Sequence, residues 1–424
     1  MASNAKNLAE LLNQDTTVAV GDIADGSVST AKLADDAVTS AKLGASAVDA
    51  TALASNAVTT AKIANNAVAT AKVADGAVTQ AKTTGVGKGK NLIINGNFQV
   101  FQRGAGARTA SDSSYAKTDR FKYFISGVTT TQDQQQFTHG QTDVPGEPEY
   151  YMRNILASNS SASDYSIVAQ HIEDVKTCAG QEVTLSFYAK SSVNGNKVAV
   201  EFNQSFGTGG SSRVTSAQTG DTASLVTLTT SWAKYTVTTT IDSISGKTLG
   251  PSNTSYLELY LWMSGGSNYN GRSNSLGNQS GNFDFANIQL EVGSAATDFE
   301  DETFEETQRK CQRYYVRAGG ANYASIFGAA GWANTTSSWI GKGKLPVPMR
   351  ASFTMTVTGS PRIQNGQSGY TASNFSGGLS IDNSTKVSQA YFTFACNASG
   401  LTLYRAHDMD ASNGAAVVEL DAEL

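Results

Sequence analysis

Cysteine, histidine and proline are all scarce in this chain: 3, 3 and 6 among 424 residues. Cys178, Cys311 and Cys396 stand far apart and match neither a zinc-site nor a Cys-x-x-Cys spacing, so they are expected as three buried thiols. His139, His171 and His407 are isolated, which excludes a His-Glu-x-x-His metal helix, and no Gly-x-Ser-x-Gly elbow is present. Charged residues make up only 16%, with a formal net charge of −5. Without a run of Lys or Arg this argues against a nucleic-acid binder. No stretch of 18 apolar residues exists, so nothing reads as a membrane-spanning helix. The opening MASNAKNLAELL lacks the basic start and apolar core of a signal peptide. GVGKG at 85–89 lacks the phosphate-loop frame, and no cofactor is expected.

What is abundant is Gly, at 40 residues, together with Thr, Ser and Asn, a composition suited to a β-rich chain with many turns. Residues 23–82 carry a ten-residue repeat: ADGSVSTAKL, ADDAVTSAKL, GASAVDATAL, ASNAVTTAKI, ANNAVATAKV, ADGAVTQAKT. From Ile23 on, apolar residues recur every five positions: Val28, Leu33, Val38, Leu43, Val48, Leu53, Val58, Ile63, Val68, Val73 and Val78. A straight helix turns about 100° per residue, so this period spirals around it. A strand alternates faces, so an odd period scatters the same residues over both sides. The unit expected is a short helical turn joined to an extended piece, with Asp, Asn and Gly at the changes of direction. Two medium side chains per repeat cannot bury themselves in one extended chain. A parallel homotrimeric stalk with these residues on its axis is the favoured reading, beside a pentapeptide solenoid and an unstructured linker.

Residues 1–22 hold a short amphipathic helix, with Leu8, Leu11 and Leu12 on one face for docking, and a short strand. Residues 83–90 are a Gly-rich hinge. From Asn91 the texture changes to strands of five to nine residues with Gly, Ser, Asn or Asp between them. They begin with a strand, an Asn-Gly turn and a second strand in NLIINGNFQVFQRG. They continue through FKYFISG, YYMRNIL, YSIVAQHI, EVTLSFYAKSS, KVAVEFNQSF, SLVTLT, AKYTVTTTI, YLELYLWM and FDFANIQLEV. Alternation is clearest where Val183, Leu185 and Phe187 oppose Thr184, Ser186 and Tyr188. The count and spacing predict a jelly-roll β-sandwich over 91–318. The acid-rich DFEDETFEETQRKC from Asp298 predicts a helix. Its acids (Asp298, Glu300, Asp301, Glu302, Glu305, Glu306) are read as capping and dipole complements rather than glycosidase carboxylates. A second, smaller β-domain follows at 319–424, with strands around QRYYVRAGG, YASIFGAAGW, SSWIGKGKLP, SFTMTVTG, QAYFTFACN, GLTLYRAHD and AAVVELDAEL.

NLIINGNFQVFQRG, followed by Tyr115, Asp119, Arg120 and Phe121, resembles a domain common in tail fibre and minor tail proteins of tailed bacteriophages. FDFANIQLEVGSAATDFEDETFEETQRKCQRYY resembles the end of that domain. LPVPMRA and VVELDAEL resemble the C-terminal domain that often follows it, and the decapeptides resemble fibre shaft repeats. Phe121 stands where a Trp is commoner. The resemblance implies a trimeric fibre protein of the virion, made in the host cytoplasm, with a sandwich like that of carbohydrate-binding modules. Its partners would be a tail protein at the N-terminus and a host-surface glycan or other receptor at the distal β-domains. A fibre-borne polysaccharide depolymerase and a tail component with no host ligand are the alternatives.

For sugar binding, aromatic faces beside Asn, Asp or Arg are the pattern to look for. Tyr269 with Asn268, Asn270 and Arg272 fits it, as do Trp332, Trp339 and Tyr370. Asp408, Asp410, Ser412 and Glu419 fall in a calcium-loop frame, but Asn413 takes the place of its Gly and strands flank it, so a polar hairpin is the favoured reading. Light scattering of the intact protein is expected to return the mass of three chains; the mass of one chain would refute the shared axis.

Overall fold

The computed structural model describes residues 90–104, 106–216, 225–251, 254–321, 324–359, 361–364, 369–371, 391–411 and 416–424 and, within the repeat, 27, 29, 33–34 and 37–39. The chain divides into two compact units, Met1–Val78 and Thr79–Leu424. Leu8, Leu11 and Leu12 lie outside the described residues, as do the axis positions other than Leu33 and Val38. Those two are exposed in the single chain.

In the second unit the described strands build two sheets that face each other as a sandwich. The first runs in the order β1 (Arg108–Thr109), β4 (Thr130–Gln136), β5 (Tyr150–Leu156), β13 (Gly281–Val292), β7 (Glu182–Ser191), β11 (Ala233–Thr240). The second runs β10 (Leu225–Thr227), β8 (Lys197–Ser205), β12 (Tyr256–Gly265), β6 (Tyr165–Glu173), β3 (Lys122–Ser126), β2 (Ser114–Tyr115), with β9 (Val214–Ser216) also on β8. Every pairing is antiparallel, so the period-2 pattern decides which side chains meet. Val183, Leu185 and Phe187 of β7 and Phe283, Phe285 and Leu290 of β13 point inward. They pack against Val198, Val200 and Phe202 of β8 and Leu257, Leu259 and Leu261 of β12. All nine strands expected from FKYFISG to FDFANIQLEV are present.

Three local expectations are corrected. Residues 91–101 form turns rather than two strands. Asn95 takes a left-handed φ of 64° there, and Gly96 lies so close to the last strand that a Cβ would meet Ile288 O at 2.1 Å. Strand β4 was not anticipated because its sequence, TTQDQQQ, has no apolar alternation. Its inward Gln132 is fully buried and instead satisfies backbone, accepting from Lys117 N at 2.7 Å and Thr118 N at 3.0 Å. The helix after Asp298 begins only at Phe304 (α2, Phe304–Gln312, after a short α1 at Asn270–Ser273), where Thr303 and Glu306 form a capping box.

The remaining strands form a sheet β14 (Tyr315–Gly319), β22 (Val417–Asp421), β17 (Thr354–Thr358). A second sheet runs β19 (Gly369–Thr371), β18 (Arg362–Gln364), β21 (Ala406–Asp410), β15 (Ser325–Thr335), β16 (Ser338–Lys344), β20 (Tyr391–Asn397). LTLYR, expected in a strand, precedes β21 as a turn. The three cysteines are buried free thiols; burial pushes Cys178 up to about 11 and Cys396 up to about 12.

What ties these later strands to the sandwich is a cluster of buried charge. Arg120 is 1% exposed, lies 3.4 Å from the Tyr314 ring centroid, donates to His171 O at 2.6 Å and pairs with Glu423. Arg103 lies 3.6 Å from the Tyr315 ring centroid and donates to Asp119 Oδ1 at 2.9 Å and Glu423 Oε1 at 3.4 Å. Burial pushes the Asp119 carboxyl up to about 7 against the pull of Arg103. The Leu424 carbonyl oxygen accepts from Tyr115 OH at 3.0 Å and Lys122 Nζ at 3.3 Å. Removing one member strands a charge away from water. Glu423→Ala is therefore expected to cost about 3–5 kcal/mol in chemical denaturation, with a loss under about 1 kcal/mol contradicting the cluster's role.

Candidate functional site

Both outer faces of the sandwich carry aromatic residues, and the structure treats them differently. On the second sheet, Tyr269, Asn268, Asn270 and Arg272 are brought together as expected, on a 3-10 turn running into α1. Two of them, Arg272 and Tyr269, make contacts within the chain. Glu201 of β8 points outward yet is 1% exposed, because Arg272 covers it with two bonds of 2.9 and 3.0 Å. Trp262 Nε1 adds a third bond at 2.8 Å. The Arg272 guanidinium lies 5.2 Å from the Trp262 ring centroid, and Tyr269 meets Tyr165 edge-on at 4.8 Å. Glu258 of β12 is buried on the same face, bonded to His171 Nε2 at 2.5 Å and paired with Arg213.

The other expected residues are dispersed. Trp332 is 43% exposed on β15. Trp339 is fully buried, its ring so close over Gly341 that a Cβ there would meet it at 2.0 Å, so it presents no face to a ligand. Cross-strand pairing sets Trp339 opposite Ala333 and Trp332 opposite Ile340, which puts the two rings on opposite sides of the sheet. Tyr370 lies on β19, its side chain outside the described residues. The polar hairpin favoured over 408–419 is also corrected: β21 and β22 pair with different strands in different sheets. Asp410 pairs with Arg362 at 2.7 Å on β21, and Glu419 sits in the other sheet, accepting from Tyr315 OH at 2.5 Å. Ser412 lies outside the described residues, and among those described no group of three potential metal ligands occurs.

The first sheet's outer face holds a cavity of about 310 Å³. Its strands contribute Ser186 and Tyr188 of β7, Lys234 of β11 and Asn287 of β13; Pro145, Gly146 and Pro148 come from the β4–β5 connection, and Asp298, Phe299 and Asp301 from the segment ahead of α2. Register explains the grouping, since Tyr188 is directly opposite Lys234 on one side and Ala286 on the other. Asn287 is the extra residue of a bulge: pairing shifts between Ala286 and Gln289, and Asn287 takes a φ of 50°, a left-handed geometry that Asn tolerates better than most residues. Gly96 holds the bulge from behind, its carbonyl accepting from Ile288 N at 3.0 Å.

The electrostatics of the cavity are mixed. Lys234 Nζ donates to Thr297 O at 3.1 Å. Burial, and after it the Asp298 carboxylate, raises the Tyr188 phenol above its usual value. Asn287 is 4% exposed, its Oδ1 has no hydrogen-bond partner, and its Nδ2 reaches only Pro145 O at 3.5 Å. Beside the cavity the rings of Phe137, Tyr151 and Trp232 meet tilted or edge-on, with centroids 4.8–5.3 Å apart. The acids from Asp298 onward thus divide their roles: Glu305 and Glu306 serve the helix start, Glu300 accepts from Asn91 N at 2.9 Å, and Asp298 and Asp301 line the cavity. Alternation marked Tyr188 as outward-facing; nothing local announced the bulge.

No protein-family model matches the chain, and no curated protein matches it in sequence. Among solved structures, it is similar to a family 11 carbohydrate-binding module from Clostridium thermocellum in complex with a mixed-linked tetrasaccharide, at 13% identity and a TM-score of 0.26, over 46% of this chain and 99% of that one. It is also similar to a putative sugar binding protein from Bacteroides thetaiotaomicron, at 16% and 0.28, over 48% and 99%. A third is the enzymatically active domain of bacteriophage CBA120 tailspike protein 4, at 11% and 0.27, over 48% of this chain and 21% of that one. Likenesses this distant carry no argument about a ligand.

If Arg272 serves the fold, Arg272→Ala is expected to cost about 1–3 kcal/mol through the unpaired Glu201. Denaturant melts check this; an unchanged midpoint would return Arg272 to the list of ligand contacts.

Proposed function

We propose that this chain is a tail-fibre protein of the tailed-bacteriophage kind that recognises a host-surface glycan. The observation that carries glycan recognition is the cavity beside Tyr188: aromatic side chains, several acceptors and a buried amide oxygen without a partner, set on paired strands and the two connections beside them. Pockets for small ligands join apolar surface to a few convergent polar groups in this way. The fibre assignment is supported by the order of segments, from the decapeptides of 23–82 through NLIINGNFQVFQRG to VVELDAEL. In this reading Leu8, Leu11 and Leu12 attach to a tail protein, and three chains share the axis of Val28 to Val78. Weak sites on three chains then gain by avidity. Within the β-domains, the part expected to touch the host moves to the cavity on the first sheet of the sandwich, with the exposed Trp332 as a second contact. The virion is the protein's proposed location.

Binding without cleavage is part of the proposal. A glycosidase needs two carboxylates flanking one bond, one of them free to protonate the leaving oxygen. The cavity's two carboxylates, Asp298 and Asp301, come from one short segment rather than from two sides of a groove, and Asp301 Oδ1 already accepts from Asn97 Nδ2 at 3.3 Å; Glu201 and Glu258, on the other face, are each enclosed by an ion pair. Calorimetry with host polysaccharide fragments is expected to show binding that Tyr188→Ala weakens by at least about ten-fold, or 1.4 kcal/mol, at a temperature where the variant is still folded. Undiminished binding by that variant would move the site elsewhere, and new reducing ends in the polysaccharide would sink the binding-only reading.

A further inference from the structure

We propose that the cavity beside Tyr188 selects a sugar carrying an N-acetylated amine, a 2-acetamido hexose, over the same sugar with a hydroxyl or a free amine at that carbon. The inference rests on the reading of this cavity as the glycan site and adds which substituent it reads.

Two chemistries lie side by side in the lining. Pro145, Pro148 and Phe299 offer side chains without a polar atom. A methyl group is stabilised against such surface, whereas a hydroxyl loses water there and gains no partner. Next to them are Asn287 and Lys234. A buried acceptor without a donor is costly, and Asn287 Oδ1 is relieved by a ligand N–H. Lys234 spends one proton on Thr297 O and keeps others for a ligand carbonyl. An acetamido group presents methyl, N–H donor and carbonyl acceptor together, at the reach of one substituent.

Competing substituents each leave part of the lining unmatched. A hydroxyl supplies a donor for Asn287 but nothing for the prolines and Phe299. A carboxylate, as in a uronic acid, meets Asp298 and Asp301. A free amine suits those two acids but has no methyl and brings a cation towards Lys234 and Lys90, whose Nζ lies 2.7 Å from Asp298 O. Asp298 and Asp301 are left to accept from ring hydroxyls, although Asp301 Oδ1 already accepts from Asn97 Nδ2 at 3.3 Å.

The test is calorimetry of the full chain with three oligosaccharides that differ only in the group at C2: acetamido, hydroxyl or amine. The acetamido form is expected to bind at least about ten-fold more tightly than either of the others. Asn287→Gly, which keeps the left-handed backbone available, is expected to shrink that preference to about three-fold or less while leaving residual binding. Equal affinity for all three sugars overturns the acetamido inference and leaves the glycan reading standing. If plain hexoses bind and the acetamido sugar does not, the inference falls in the same way; if no sugar binds at all, both fall. Should the Gly variant not fold, the three affinities of the unaltered chain decide alone.

Discussion

The pairing of Arg120 with Glu423 is the interaction on which the arrangement of the second unit depends. A guanidinium this deep is tolerable only if its charge is matched and its protons are accepted. The partners come from widely separated parts of the chain: Glu423 from after the last strand, the His171 carbonyl from the middle of the sandwich, the Tyr314 ring from the end of α2. Each of those segments must be in place before the site is satisfied, so one residue couples three elements. Arg103 repeats the device with Asp119, Glu423 and Tyr315.

The same cluster gathers segments that lie far apart in the chain. Tyr115, Asp119, Arg120 and Phe121, the Tyr314–Tyr315 pair and the closing ELDAEL all meet at this cluster or beside it. Asn91 and Gly96 brace the bulged strand β13: Asn91 Nδ2 donates to Ile288 O, Asn91 Oδ1 accepts from Leu290 N, and Gly96 O accepts from Ile288 N. The recognisable residues are therefore the clamp of the fold. Of the cavity's lining, Asn287 and the Asp298–Asp301 segment fall within 283–315, and the rest lies outside those segments.

Strands with apolar alternation were legible from sequence because burial on one face writes itself into every second residue. Strand β4 was not, since its inward positions bury Thr130, bonded to Ser166 Oγ at 2.8 Å, and Gln132, which accepts from two backbone N–H groups. The candidate site was harder for a related reason. Tyr269 and Arg272 sit among Gly, Ser and Asn, a composition that marks loops without saying whether a loop faces solvent or covers an outward-facing carboxylate. Trp339 failed as a ligand contact because burial depends on Gly341 across the ring, a pairing of neighbours that composition cannot show. Tyr188 was visible as outward-facing, but the cavity beside it needs a bulge in a strand a hundred residues away in sequence.

The contrast between the two outer faces argues for where ligand recognition belongs. On the second sheet, Glu201 and Glu258 are the groups with the strongest demand for partners, and Arg272, Trp262, Arg213 and His171 meet that demand within the chain. A ligand there would have to displace charge-assisted bonds already made, at a net loss. On the first sheet the bulge leaves Asn287 Oδ1 unmatched, and the cavity already exists beside a tyrosine whose register is set on both sides by paired strands. Under the proposal, a shift of the Asn287 amide towards a ligand completes a hydrogen bond instead of exchanging one. The face that looks less charged is thus the one with something left to gain.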